Sequence, residues 1–394
     1  MRTVSNPSRG FTLLELMISA AVGMVIVCAA AKLYSVGLRV SLQTSQKSEL
    51  QQDFRSASNL LQRDISMAGA GALGQQGLAT AAVGLPSTAF VPVYPCNGLV
   101  TCNYINGAPV AYPVTGGVPY LYSIIPGPNL GITVTAAAGP TDIITVITAD
   151  ANLTMNCYNG TMNAAATVVT FQLPTVLPST CVLPLSPSGT VIPPQNLNDA
   201  VFGLQAGDLV LFGTKAVGVV TGAVTACAPT AGNSACFTVP FANTDPGHIN
   251  QPSGVAGLQQ FDGANTPSAV RLIAVTYYLD ISPSDGVTPR LMRMQNGKAP
   301  SPVAENVVYL KFSYDVINGG IVTANQATLP AGTTPAMITK VNIAHMSMRS
   351  QGRDSTSRSS LSQYGGYEGL DLQTSIAARN MTSQQEYPIA GTAY

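Results

Sequence analysis

An apolar run near the start of the chain restricts its fold more than any other feature. No charged residue occurs from Leu16 to Ala31, and the 21 residues that begin at Phe11 contain one ionised group, Glu15. An apolar helix of about 20 residues is long enough to cross the hydrocarbon core of a bilayer. A carboxylate at the centre of such a helix costs on the order of 2.5–3.5 kcal/mol, and less near an end, so it needs a partner. That partner must be a cation, and the run contains none.

The ten residues before the run have the composition of a cytoplasmic leader. They are polar and contain two arginines but no acidic residue, which the positive-inside rule assigns to the cytoplasm. Cleavage between Gly10 and Phe11 would create an α-amino group four residues before Glu15. We therefore expect this amine to be the missing cation, in the same copy of the chain or in a neighbouring one.

This arrangement resembles the N-terminus of the type IV prepilin family. In that family the leader ends in glycine, and the mature chain begins with a phenylalanine that becomes N-methylated. A glutamate at the fifth mature position is used in assembly. Gly10, Phe11 and Glu15 occupy these three positions. The resemblance implies cleavage by a prepilin peptidase and contact with other minor and major pilins through the helix.

Two other kinds of N-terminal segment fit the residues less well. The tripeptide Ala29–Ala31 could end an ordinary secretory signal, but its apolar region would be too long and would contain a glutamate. A lipoprotein signal would carry its lipid on Cys28, but Val27 stands where a small residue is required. The prepilin interpretation is therefore preferred.

The helix is predicted to continue beyond the membrane, because no proline occurs from Lys32 to Met67. The apolar positions that repeat at the spacing of one helical face are Leu50, Phe54, Ala57, Leu61 and Ile65. We expect a leader over residues 1–10, a helix over 11–68 with its membrane part at 11–31, and an extracytoplasmic head over 69–394. The predicted fold class is α+β, with the long helix packed on a large, β-rich, pilin-like head of one or two β subdomains.

Strand-like sequence dominates the head. The segments rich in β-branched and aromatic residues are 131–136, 142–148, 167–173, 208–212, 216–221, 237–241, 270–280, 291–294, 307–314 and 340–348. The proline-dense stretch 174–194 is expected to be an excursion or a boundary between two β units. Residues 71–141 contain no charged side chain, and their hydrophobicity favours an ordered, loop-rich surface over disorder.

The seven cysteines divide into one membrane thiol and six head residues. Cys28 lies in the apolar run, where a thiol behaves as a small hydrophobic group. The six others form three couples that are close in sequence, and the couples are Cys96 with Cys102, Cys157 with Cys181, and Cys227 with Cys236. Six cysteines allow fifteen connectivities, so this pairing is one hypothesis among them. Disulfides are favoured over zinc because no Cys-x-x-Cys occurs, and they require an oxidising compartment.

Four blocks of the head resemble, in their order, the PilW-type minor pilins and the similar J-type minor pseudopilins of type II secretion. The blocks are 207–212, 270–279, 289–293 and 307–315. They alternate apolar and polar residues, as a sheet buried on one face requires. The resemblance implies a minor pilin that takes part in type IV pilus assembly and primes the tip. The alternatives are a type II secretion minor pseudopilin and a tip adhesin that uses residues 71–141.

Catalysis, a cofactor, a metal site and nucleic-acid binding are not expected. The chain has two histidines, His248 and His345, and lacks nucleophile-elbow and phosphate-loop motifs. Asp280 and Asp285 do not have the spacing of a calcium loop, and a solvated loop explains the mildly basic segment 348–360. Eighteen basic residues balance eighteen acidic ones, which leaves no basic footprint. We expect a single-pass inner-membrane protein with a cytoplasmic N-terminus and a periplasmic head, which later reaches the pilus and the cell surface.

Overall fold

One long helix precedes a head whose described regular secondary structure is almost entirely antiparallel strand. The computed structural model describes residues 12–70; 118–250 apart from 135–138, 151, 154, 180, 182, 184, 187, 214–215 and 246; 265–266; 269–281; 288–349; and 369–378. It also describes short strand pieces between 83 and 115 and the single residues 258 and 286. The predicted α+β fold class is confirmed.

Helix α1 spans Leu13–Ser66, which is 54 residues and about 80 Å at 1.5 Å per residue. No proline interrupts it, and its end lies at Met67, whose N–H donates to the carbonyls of Arg63 and Asp64 at 3.2 Å each. The chain then turns at Gly69, where φ is +72°, a value that glycine adopts without strain. The predicted limits of this helix differ from the observed ones by two residues at each end.

The strands are short in the first part of the head and longer in the second. Those before residue 200 are β1 (Val83–Gly84), β2 (Tyr104–Ile105), β3 (Ala108–Pro109), β4 (Val114–Thr115), β5 (Val118–Leu121), β6 (Ile124–Gly127), β7 (Ile143–Ala149), β8 (Asn159–Met162) and β9 (Val168–Pro174). Those after it are β10 (Leu209–Phe212), β11 (Ala216–Val219), β12 (Thr225–Ala226), β13 (Asn233–Pro240), β14 (Asn265–Thr266), β15 (Ala269–Ile281), β16 (Pro289–Gln295), β17 (Ser301–Glu305), β18 (Val307–Asn318), β19 (Ile321–Gln326), β20 (Ile338–Arg349) and β21 (Gly369–Ala377).

Three sheets contain most of the described strands of the head, and every strand pair in them is antiparallel. The largest has seven strands and is centred on β15, which pairs with β10 at its start, with β7 along its middle and with β16 at its end. A five-stranded sheet has the order β12-β13-β9-β8-β14, and a four-stranded sheet has the order β19-β18-β20-β21. Smaller sheets join β1, β5 and β4, and β2 with β3.

The buried apolar side chains of the described residues form three clusters, and the first of them contains the buried face of the helix. In that cluster the buried face of α1, including Phe54, Leu61 and Ile65, packs on the inner face of the four-stranded sheet and on β15. The second cluster lies in the seven-stranded sheet, and the third surrounds the five-stranded sheet. The third cluster is tightly packed, because a Cβ added at Gly218 would lie 2.7 Å from the ring of Phe241.

Nine of the ten predicted strands occur, and one prediction was wrong. The described residues 131–134 form no strand, since Thr133 makes only an isolated bridge to Pro140. The other twelve described strands were not predicted from the sequence, and they are β1–β6, β8, β12, β14, β17, β19 and β21. Strand β17 was not predicted because it contains Pro302. The structure tolerates this proline because β17 lies at the edge of its sheet, where proline is accommodated.

Part of the charge-free segment 71–141 belongs to the core and not to the surface, which corrects the prediction for that part. Leu121 and Ile124 are fully buried, and β6 pairs with β7 in the seven-stranded sheet. The physical reason is that a run of isoleucine and leucine without charge gains most by filling an interior. The proline-dense stretch behaves as an excursion, because the disulfide at Cys181 and the partly buried Leu183 hold it against the third cluster.

Candidate functional site

The first two thirds of α1 extend away from the head. Every described residue from Leu13 to Glu49 is exposed except Gly23, which is half-buried. Large apolar side chains are among them, with Leu13 exposed to 80% and Tyr34 to 70%. Within the described part of the chain, α1 is the one helix long and apolar enough to cross a membrane, and its apolar stretch is not buried inside the protein. An apolar arm of this size needs a nonaqueous or protein environment.

Glu15 takes part in a capping box at the N-terminus of α1. Its backbone N–H donates to Thr12 Oγ1 at 3.3 Å, and its carboxylate Oε2 accepts from the backbone N–H of Thr12 at 3.1 Å. The carboxylate also lies near the positive end of the helix dipole, which stabilises a negative charge. Sequence reasoning missed this local partner, although the spacing Thr12-x-x-Glu15 is the usual signal for it.

Of the predicted N-terminal residues, Glu15 alone can be placed. Gly10 and Phe11 lie outside the described residues, as do Cys96 and Cys102. Their predicted roles in processing and in a disulfide therefore stay predictions.

The last turns of α1 are joined to the head by a buried polar group as well as by apolar packing. Asp64 is 6% exposed, and its Oδ2 accepts from Tyr277 Oη at 2.7 Å and from Arg293 Nε at 2.9 Å. These two donors stand on β15 and β16, neighbouring strands of the largest sheet. Asp64 lies on the helical face of Leu61 and Ile65, so a carboxylate within the apolar stripe was the sequence signal for this joint.

Burial and the charge of Asp64 determine the protonation states of the two donors in this joint. Desolvation, reinforced by the negative charge of Asp64, raises the pKa of Tyr277 well above its usual value, so the phenol remains a donor. Burial lowers the pKa of Arg293, but the hydrogen bond and the charge of Asp64 outweigh it and raise that pKa overall. The joint is thus one carboxylate held by one neutral and one cationic donor, which fixes the rotation of α1 on the sheet.

Among the described residues, two disulfides tie the head, and each joins a cysteine to the next cysteine along the chain. Cys157 bonds to Cys181, which anchors the proline-dense excursion, and Cys227 bonds to Cys236 on β13. Cys28 is an exposed free thiol on the helix arm. The predicted disulfide character of the head is confirmed.

The other polar side chains considered in the sequence analysis do not form a metal site among the described residues. The described residues contain no group of three or more histidine, cysteine, aspartate or glutamate side chains that could hold a metal. Asp280 is 3.5 Å from Arg290 across β15 and β16, while Asp285 is outside the described residues. His345 packs edge-on against Tyr309 at 5.2 Å, and its Nδ1 is 3.7 Å from Asp371. His248 occupies a turn with φ of +50°.

The comparison with known families agrees with the geometry of the arm. The family described as "Prokaryotic N-terminal methylation motif" matches residues 5–31, which include Glu15 and the exposed apolar start of α1. No curated protein and no solved structure matches the chain. The motif indicates a structural protein that interacts with pilins and a prepilin peptidase and is anchored in a membrane, and the chain accordingly has a type IV prepilin-like N-terminus on a β-rich head.

Proposed function

We propose that the chain is a minor pilin of the PilW type, cleaved between Gly10 and Phe11, that takes part in assembling and priming a type IV pilus at its tip. The observation that carries this proposal is the asymmetry of α1. Its exposed arm, Leu13 to Glu49, bears the methylation motif, whereas its last turns are embedded in the head. The N-terminal part of such a helix can pack against other subunits in a filament, while its C-terminal part holds the head.

The apolar start of the arm would cross the inner membrane with the leader in the cytoplasm. The arginines of the leader favour that orientation. The disulfides Cys157–Cys181 and Cys227–Cys236 support a head on the oxidising, periplasmic side. The head would then pass to the cell surface with the growing pilus.

Cleavage would give the Glu15 carboxylate a choice of partners. In the single chain it caps the helix by accepting from Thr12 N–H at 3.1 Å. Cutting before Phe11 would place an ammonium group one residue before Thr12, within reach of the same carboxylate in this copy or an adjacent one. In a bilayer, pairing with the adjacent subunit neutralises two charges that hydrocarbon disfavours. The contact is heterologous, so it propagates a filament and does not close a ring.

Close approach between neighbouring arms is sterically permitted. A Cβ added at Gly23 or Gly37 would meet nothing within 4 Å, so no contact within the described chain accounts for either glycine. The small residues of the membrane part, which permit tight packing of helices, include Ser19, Ala20, Ala21, Ala29, Ala30 and Ala31. These features support contact with other minor and major pilins through the helix.

Two substitutions of Glu15 separate its capping role from its charge. Glutamine at this position would keep the capping box, because glutamine also serves there, but would lose the charge. We expect both Glu15→Gln and Glu15→Val to be cleaved normally and to reduce pilus number in a strain that carries the variant in place of the native chain. Glu49→Val, on the exposed arm beyond the membrane, is the matched control. Normal pili with Glu15→Gln would refute charge pairing, and loss of protein secretion with normal pili would favour the type II pseudopilin.

The cleavage site has its own test. A bulky residue at Gly10, such as Gly10→Tyr, should block the peptidase and leave the leader attached. Mass spectrometry of the purified chain then shows the uncut N-terminus in place of an N-methylated Phe11. A mature N-terminus unchanged by Gly10→Tyr would refute the assigned site.

A further inference from the structure

The four-stranded sheet has a polar outer face, opposite the face that packs on α1. The β18 residues Phe312, Tyr314 and Val316 are buried against the helix, whereas the alternate residues of β18 face outward. A cleft of about 670 Å³, here called the outer cleft, opens on this face. Its polar lining includes Asn129, Asp142, Lys311, Ser313, Asn342 and Ser375.

Strand register aligns the floor of the outer cleft. Ser313 on β18 is directly opposite Asn342 on β20, and Asn342 is directly opposite Ser375 on β21. Neighbouring strands lie about 4.8 Å apart, so a hydroxyl, an amide and a second hydroxyl form one row at that spacing. Asn325 on β19 and Asn129, in the turn after β6, also line the cleft beside this row.

The walls of the outer cleft are rigidly held. Asp142 is 3% exposed and accepts from the backbone N–H of Asn129 at 2.7 Å and of Phe312 at 2.9 Å, and from Lys311 Nζ at 2.8 Å. Asn342 is 8% exposed and donates through Nδ2 to Asp315 Oδ1 at 2.9 Å and to Asn325 Oδ1 at 3.2 Å. A site whose polar groups are already fixed loses little entropy when it binds a ligand.

Hydrogen-bonding capacity is left over in the outer cleft. Lys311 Nζ uses two of its three protons, on Asp142 and Asn129. The Ser313 hydroxyl has no hydrogen bond within the described residues, although the residue is only 6% exposed. The carbonyl oxygen of the Asn342 side chain likewise remains as an acceptor among the described contacts. The cleft therefore presents a donor, a group that can both donate and accept, and an acceptor on one surface.

The charge of the outer cleft is balanced. Asp142 is paired with Lys311, and Asp315 stands directly opposite Lys340 in the register of β18 and β20. An anion would require surplus positive charge and a cation surplus negative charge, and neither is present among the described residues of the cleft. An apolar ligand would leave the buried Ser313 and Asn342 groups without partners, which is unfavourable.

We propose that the outer cleft binds a neutral saccharide. Each sugar hydroxyl both donates and accepts, which matches the alternating groups of the Ser313–Asn342–Ser375 row, and the volume accommodates two or three sugar rings. No aromatic ring lines the described part of the cleft for stacking apart from Phe312, whose side chain belongs to the core. The affinity is therefore expected in the millimolar range, as for a few hydrogen bonds exposed to water.

The test is a ligand-observed NMR titration of the full chain in a detergent without a sugar head group. The probes are chitotriose, whose N-acetylglucosamine units also occur in cell-wall glycan, and cellotriose and maltotriose, which represent external polysaccharides. An extended polar peptide is the comparison ligand. We expect one of the trisaccharides to bind at concentrations below about 10 mM, with an affinity that added salt does not change because no net charge is involved.

Three variants localise the binding. Ser375→Tyr would fill the cleft from its exposed edge strand and should weaken binding about tenfold or more, while Ser313→Ala removes one hydroxyl and should weaken it about threefold. Thr323→Tyr, an exposed substitution of equal bulk on the opposite face of the same sheet, is the control and should bind normally. Thermal unfolding verifies that each variant is folded. If Ser375→Tyr does not fold, the binding of Ser313→Ala tests the proposal.

The proposal is overturned if no trisaccharide binds, if the peptide binds in their place, or if binding is the same in Ser313→Ala and the native chain. It is also overturned if charged sugars bind with strong salt dependence and neutral ones do not. Loss of binding in the cleft variants with retention in Thr323→Tyr supports it. Pilus assembly through α1 does not enter this readout, so the two proposals can fail separately.

Discussion

Replacing Asp64 by asparagine should loosen the joint between α1 and the head while preserving its shape. The native carboxylate accepts from Tyr277 at 2.7 Å and from Arg293 at 2.9 Å. Both donors use the same oxygen, Oδ2, so the amide oxygen of asparagine can still accept from both, but the two hydrogen bonds lose their charge and Arg293 loses its counter-charge. A hydrogen bond to a charged group contributes about 1.5–3 kcal/mol, and breaking a buried ion pair costs about 3–5 kcal/mol. Arg293 is 24% exposed and regains some hydration, so we expect a loss of about 2–3 kcal/mol.

The assay combines urea unfolding of the full chain in detergent with hydrogen exchange of the helix amides from Phe54 to Ser66. Asp64→Asn should lower the free energy of unfolding and speed exchange in that stretch, because the helix is released locally from the sheet. Asp53→Asn, an exposed acidic residue on the same helix, is the matched control and should change stability by less than about 0.5 kcal/mol. A double-mutant cycle with Tyr277→Phe measures the coupling directly. Equal stability of Asp64→Asn and Asp53→Asn, or a coupling energy near zero, would refute the joint.

Two further predictions concern the head. Replacing both Cys157 and Cys181 by alanine should lower the free energy of unfolding by about 3.5 kcal/mol, and the same change at Cys227 and Cys236 by about 2.7 kcal/mol. The difference arises because the loop-closure entropy grows with the sequence separation, which is 24 residues for the first pair and 9 for the second. Urea unfolding midpoints that fall further on loss of the shorter loop would contradict this. Stability should also be constant up to about pH 10 and fall above it, since burial raises the pKa of Tyr158 to about 12 and that of Tyr277 further. The unfolded chain then releases protons that the folded chain retains, and each such tyrosine lowers stability by about 1.4 kcal/mol per pH unit between its two pKa values. Unfolding temperatures from pH 8 to 11 test this, and an unchanged slope in Tyr158→Phe would argue against a contribution from that residue.

The adhesin alternative needs a narrower experiment than deletion of all of residues 71–141. Ile124 and Leu121 are fully buried, and β6 supplies a strand to the seven-stranded sheet. Deleting the whole segment would therefore remove part of the core and would abolish pili and adhesion together. A deletion that ends before β5 leaves that core in place, and loss of adhesion with normal pili would then favour the adhesin.

Local patterns predicted the long helix and nine of the strands correctly, because their signals lie within one element. The stripe from Leu50 to Ile65 specifies a helical face whatever it packs on, and the alternation in β9 or β18 specifies a strand with one apolar face. The failures occurred where position in a sheet outweighs propensity. Strand β17 contains a proline and β19 has no buried residue, so neither is recognisable until its sheet edge is known.

The functional residues could likewise be predicted from the sequence only where they lie close together along the chain. Glu15, its leader and the apolar arm are close together in sequence, and their electrostatic conflict can be read from composition alone. The joint brings Asp64 to residues 213 and 229 positions away, and the outer cleft brings Asp142 to a residue 169 positions away. Such distances follow from strand pairing, which no local period encodes.

The sequence by itself determined the N-terminal arm, the order of helix and strands, and the neutrality of the chain, because a continuous apolar run and a periodic stripe act through nearest neighbours along the backbone. Only the tertiary structure decided how α1 is oriented on the head and which polar groups remain unpaired. Strand pairing sets both, since Asp64 acquires its donors and Ser313 comes to line the outer cleft only when distant strands close around them.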